Sequence, residues 1–403
     1  MLGRVSDVVK CETVLISTFV MALAIGKAQV QEVPFRIGDD AIIVDVTVNG
    51  RKASLMFDTG FSGSVIVGES LDVGKPTGTM NLTDFVGSFE AKTIKMATLK
   101  IGDMSVDPTG MEIIQQPTEH YSLSYGTHCD GILGLQAFAG KVFEINFEHQ
   151  KFIVHPDSFD ISQTKSDGVK TTLTKLLPLG VNSLMMSVDV PSGEKLHMAL
   201  DTGNAGYATT HKDSLERAKV WPDGKTADFM GQSVVASGPV DTFRVALSGI
   251  KIFGVPVPQS VFNVIDLPAS RADQDGTIGF GFLKNFNITI DPKRRRVLFE
   301  NFTGRTSDPL PAEVGILAFN DPRVNRMRIA WVVPGGPAEK AGVKRGDDLL
   351  AVNGDDVSQI GFRRLETLLK GDVGSKVKLD ISRGGQLIRL EVERKVLVNA
   401  LAN

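Results

Sequence analysis

One short pattern occurs twice in this chain, and the repetition limits the possible fold more than any other feature. The first copy is Leu55-Met56-Phe57-Asp58-Thr59-Gly60-Phe61-Ser62-Gly63 and the second is Met198-Ala199-Leu200-Asp201-Thr202-Gly203-Asn204-Ala205-Gly206. A lone Asp-Thr-Gly arises by chance in roughly one chain in ten of this length, and would read as a turn after a strand. Here the surroundings recur as well. Ahead of the first copy runs the alternating stretch Ile43 to Val48, closed by Asn49-Gly50, which predicts a hairpin. Ahead of the second runs Met186 to Val190, closed by Pro191-Ser192-Gly193. Downstream, Asp130-Gly131-Ile132-Leu133-Gly134 is matched by Asp275-Gly276-Thr277-Ile278-Gly279. Phe143 to Phe147 and Lys151 to Val154 are matched by Phe286 to Asp291 and Arg296 to Phe299. The order and near-equal spacing imply duplication of a whole β-rich unit, not of a short solenoid repeat.

Two Asp-Thr-Gly loops, each followed by an apolar-apolar-Gly segment, resemble the pepsin and retropepsin class of aspartic proteases over roughly residues 33–302. Within that class the chain is similar to bacterial retropepsin-like enzymes with an appended PDZ domain. The resemblance implies a mainly β fold of two pseudo-symmetric β-barrel lobes plus a small α+β PDZ domain. It also implies that Asp58 and Asp201 are the catalytic pair of an aspartic endopeptidase. Such carboxylates share one proton, so one can take a proton from water while the other donates to the substrate carbonyl. Thr59 and Thr202 would bond across to the opposite loop, and Gly60 and Gly203 would let the loops turn tightly. No cofactor or metal is expected. Two departures from the class stand out. The flap candidate, Phe85 to Phe89 around Gly87, lacks a tyrosine and reads equally as an ordinary hairpin. The residues after the glycines are Phe61 and Asn204, and Phe61 reads either as core filling or as a substrate contact.

The remaining boundaries follow from local signals. Residues 1–28 have the layout of a secretory signal: Arg4 and Lys10, an apolar run from Val14 to Ile25, then Gly26-Lys27-Ala28. An uncleaved signal would leave a membrane tether. The lobes are placed at 33–157 and 169–302. Losing the signal removes Cys11 and leaves Cys129 alone, read as a small buried residue. His120 and His128, beside Tyr121 and Tyr125, are read as polar residues of a loop. Net charge is −3, which gives no reason to expect nucleic acid as a partner. The segment 308–397 contains PGGPAEKAGVKRGDDLLAVNG and resembles bacterial PDZ domains. These add an extended peptide as a strand and hold its terminal carboxylate with backbone N–H groups. Val314, Gly315, Ile316, Leu317 and Ala318 are the corresponding loop and strand; the alternative is a PDZ domain that only packs on the lobes.

The expectation is therefore a secreted or periplasmic aspartic peptidase acting on peptide or protein substrates, with a C-terminal peptide as a PDZ ligand. The alternative is a non-catalytic periplasmic peptide-binding or scaffold protein that keeps the fold.

Overall fold

The computed structural model describes residues 30–83, 87–180, 183–235, 238–269, 274–307, 310–321 and 325–399. The expected signal segment, 1–28, lies outside them, as do Phe85 and Val86 of the flap candidate. The described chain is mainly β, in three large sheets followed by a PDZ domain.

The first sheet is built on the hairpin Ala41–Val48 and Arg51–Asp58. Its turn is Asn49-Gly50, both with positive φ, as the sequence pattern predicts. Burial along Ala41–Val48 is nearly continuous because both faces are covered. Ile42, Val44, Val46 and Val48 enter the main core, while Ala41 and Ile43 meet Met56, Tyr121, Tyr125 and Cys129 behind it. The strand Arg51–Asp58 pairs in parallel with Gly131–Gly134, setting Asp58 opposite Gly134.

The second sheet repeats this arrangement. Met185–Asp189 and Lys195–Leu200 form the hairpin, and Lys195–Leu200 pairs in parallel with Gly276–Ile278. At its far edge lies the strand pair Met230–Val235 and Gly238–Ile252. In the first sheet that place is held by the hairpin Gly78–Thr83 and Ser88–Lys95.

The third sheet takes strands from both halves. Val142–Asn146 pairs with Phe286–Asp291, setting Phe143 opposite Ile290. Phe57, Phe138, Phe143 and Phe152 pack as one ring cluster on this sheet, with centroids 4.6–6.5 Å apart. Each such ring contributes about 2 kcal/mol through burial, and one continuous core holds these rings together with Phe286, Ile288 and Ile290 of the second half.

Two local expectations change. Tyr121 to Ser124 is a single helical turn, not a loop, because Tyr121 and Tyr125 turn into the cluster behind Asp58. His120 and His128 stay exposed beside it. Trp221, which has no clear place in the sequence pattern, is a buried core residue with Nε1 donating to the Lys225 carbonyl. Cys129 is buried as expected, and burial pushes its thiol up to about 11.

The PDZ domain has its own core around Val314, Ile329, Leu349, Leu365 and Leu379. Its sheet runs Ile316–Asp321, Arg326–Val332, Asp348–Val352, Lys376–Arg383, Gln386–Glu393, with the helix Phe362–Leu369 beside it. Among the described residues no helix is long and apolar enough to cross a membrane.

Candidate functional site

Each Asp-Thr-Gly loop leaves the end of its strand and meets the other across the seam between the halves. Both threonines are buried, at 2% exposure for Thr59 and 0% for Thr202. Thr59 Oγ1 donates to the Leu200 carbonyl (2.8 Å) and accepts from the Thr202 amide (3.0 Å). Thr202 Oγ1 donates to the Phe57 carbonyl (2.7 Å) and accepts from the Thr59 amide (3.1 Å). Four buried hydrogen bonds thus lock the loops reciprocally. Thr202→Val keeps the shape but strips two of them, leaving a buried carbonyl and amide unpaired. A loss of about 2–4 kcal/mol in unfolding free energy is expected by denaturant titration.

The lock brings the two loops together so that each carboxyl group lies against the glycine of the opposite loop. Asp58 Oδ1 accepts from the amides of Gly60 (2.7 Å) and Phe61 (3.2 Å). Asp201 Oδ1 accepts from those of Gly203 (2.9 Å) and Asn204 (3.1 Å). Each glycine leaves room for the opposite carboxyl group. A Cβ on Gly60 would come within 2.6 Å of Asp201 Cγ, and one on Gly203 within 2.5 Å of Asp58 Cγ.

Burial raises the pKa of both carboxyl groups. Asp58 is raised well above the ordinary aspartate range, by burial first and then by the neighbouring Asp201 charge. Two carboxyl groups with raised pKa values set close together favour sharing a proton as a pair. Such a pair can accept a proton at one oxygen and donate one at another.

The structure brings together all six residues expected at the loops: Asp58, Thr59, Gly60, Asp201, Thr202 and Gly203. Phe61 is half-buried against Ile66, Ala91 and Ile114, and the Asn204 side chain donates to Thr209 Oγ1 and Thr277 Oγ1. Sequence reasoning assigned no role to Asp130 and Asp275. Asp130 Oδ2 accepts from the Ser54 amide (2.9 Å) and Asp275 Oδ2 from the His197 amide (2.7 Å), clamping each apolar-Gly strand to the Asp-bearing strand. Their matched places ahead of the two glycine segments were the available signal.

The PDZ residues lie elsewhere. Val314 is a core residue and Gly315 has φ +78°. Ile316, Leu317 and Ala318 begin the edge strand of the PDZ sheet. Among the described residues no group of three or more His, Cys, Asp or Glu could hold a metal ion.

Residues 328–383 match the PDZ domain family. The serine protease HhoA of Synechocystis is 36% identical over 237 residues, 55% of this chain and 55% of that protein. A periplasmic serine endoprotease, DegP-like, of Chlamydia pneumoniae is 31% identical over 122 residues, 29% of this chain and 24% of that protein. The chain thus spans about half or less of the length of these curated relatives. Among solved structures, an aspartic proteinase from Irpex lacteus aligns with 70% of this chain and all of its own, at 16% identity and a TM-score of 0.42. The relatives overturn the expectation of an aspartic, retropepsin-type peptidase, because the proteins matched by sequence are named as serine proteases. What remains from both sides is a mainly β protein with a PDZ domain, similar to proteases.

Proposed function

We propose that this chain is a protease acting on peptide or protein substrates in a secreted or periplasmic setting. The candidate site is assigned to Asp58 and Asp201, supported by Thr59, Gly60, Thr202 and Gly203, with no catalytic type attached to it. The observation that carries this reading is the reciprocal threonine lock, which holds the loops of Asp58 and Asp201 against each other, each carboxyl group facing the opposite glycine. Burying charge-bearing groups together costs free energy, and a domain with only a structural role gains nothing from it. The two duplicated halves are read as pseudo-symmetric lobes with the pair at their seam. The names of the matched proteases and the PDZ match support the reaction class and the peptide nature of the substrate. Val314, Gly315, Ile316, Leu317 and Ala318 are assigned to the end of an extended peptide, added to the edge strand.

The test is cleavage of an unstructured peptide library by the full chain, read by mass spectrometry from acid to neutral pH. Defined cut sites in the library are expected. An untouched library at every pH would overturn the reading.

A further inference from the structure

One helix of the PDZ domain is fastened to both halves of the duplicated unit. Arg363 and Glu366 lie at i and i+3 on Phe362–Leu369, so they project from the same side of that helix. Arg363 Nη1 donates to the carbonyls of Asp39 and Asp40, at 2.7 Å each, and the guanidinium lies 5.0 Å from the centre of the Tyr125 ring. These partners belong to the first half. Glu366 lies 3.6 Å from Arg244 of the second half, and Arg244 also pairs with Glu313 just ahead of the PDZ edge strand. Asp40 is reached as well by Lys284 of the second half, at 3.7 Å, so the turn that Arg363 grips lies on the seam.

Further contacts fix the same surface. Trp331 Nε1 donates to the Met230 carbonyl (3.1 Å). The Asn399 amide donates to the Arg244 carbonyl (2.8 Å), and its side-chain oxygen accepts from the Phe229 amide (3.1 Å). Behind Arg363, Tyr125 packs in one buried cluster with Tyr121, Cys129 and Met56. Met56 lies two residues before Asp58 on the same strand. A path of packed side chains therefore runs from the PDZ helix to the strand that carries Asp58.

We propose that the helix Phe362–Leu369 is a staple across the seam. Arg363 and Glu366 act as positioning residues that keep Asp58 and Asp201 in register. A domain joined only by a linker moves freely relative to its neighbours. A domain gripping both halves fixes their spacing: losing Arg363 strips the donor from the Asp39 and Asp40 carbonyls, and losing Glu366 removes the helix's ion pair to Arg244. The proposal rests on the reading that the pair is the working site, and its test separates the two.

Spin labels at Lys100→Cys and Lys251→Cys, both exposed and one in each half, report the distance across the seam in a Cys11→Ser background. Buried Cys129, with its raised thiol pKa, stays unlabelled. A narrow distance distribution is expected in the parent chain and a broad one in Arg363→Ala and Glu366→Gln, with Arg363→Lys restoring part of the order. Peptide cleavage by Arg363→Ala is expected to fall about tenfold in kcat with little change in KM, since misplacement weakens reaction more than binding. A distribution that stays narrow in both variants overturns the staple. Because the distance is read without substrate, it decides the staple even if the parent chain cleaves nothing.

Discussion

Asp58→Asn is expected to reduce peptide cleavage by at least about a thousandfold while the chain stays folded, and Asp201→Asn is expected to do the same. Members of a working pair act as a unit, so losing one removes nearly all that the two achieve together. The amide is isosteric and keeps an oxygen that can accept from Gly60 and Phe61, so the loop has no reason to collapse. The stability profile gives an independent check. A carboxyl group whose pKa is raised on folding binds its proton more tightly in the folded state. Its contribution is fully present below the unfolded value near 3.8 and is lost as pH rises towards the raised folded value. The parent melting temperature should carry that loss on the alkaline side of 3.8, and Asp58→Asn should remove it. Melting curves across pH, beside cleavage rates at each pH, check both halves of this expectation.

Gly203→Ala is expected to lower activity about a hundredfold and stability by about 1–3 kcal/mol. The added methyl group would sit 2.5 Å from Asp58 Cγ, well inside contact distance, so the carboxyl group or the loop must move. Gly60→Ala presses on Asp201 in the same way, at 2.6 Å. Neither glycine has positive φ, so the effect is a steric clash with the facing carboxyl group and not backbone strain. Unfolding titrations and steady-state kinetics on Gly203→Ala measure the two effects. An alanine variant with parental kcat would mean that the carboxyl positions are not critical.

Part of this architecture was legible because its signals are local or repeated. Asn49-Gly50 dictates its own turn, and the two Asp-Thr-Gly stretches with their downstream glycine segments placed the loops and their parallel partners. The PDZ domain was legible through the resemblance carried by PGGPAEKAGVKRGDDLLAVNG, and the family match covers residues 328–383. Other features depend on partners far away in sequence, and no nearby residue announces them. The pairing of Phe143 with Ile290, the burial of Tyr121, Tyr125 and Trp221, and the grip of Arg363 on the Asp39–Asp40 turn are of this kind. The strand Met230–Val235 escaped notice because Gly231, Gln232 and Ser233 interrupt any apolar alternation. The assignment of reaction type failed differently. It came from family resemblance carried by two tripeptides, and the proteases matched by sequence bear another type in their names.

The most direct measurement compares peptide cleavage by the parent chain, Asp58→Asn and Asp201→Asn, each with and without a serine-directed acylating probe. Defined cleavage by the parent and its loss in both folded variants is the predicted result. Cleavage that survives in both variants and stops when the probe acylates a serine would contradict the assignment of the site to Asp58 and Asp201.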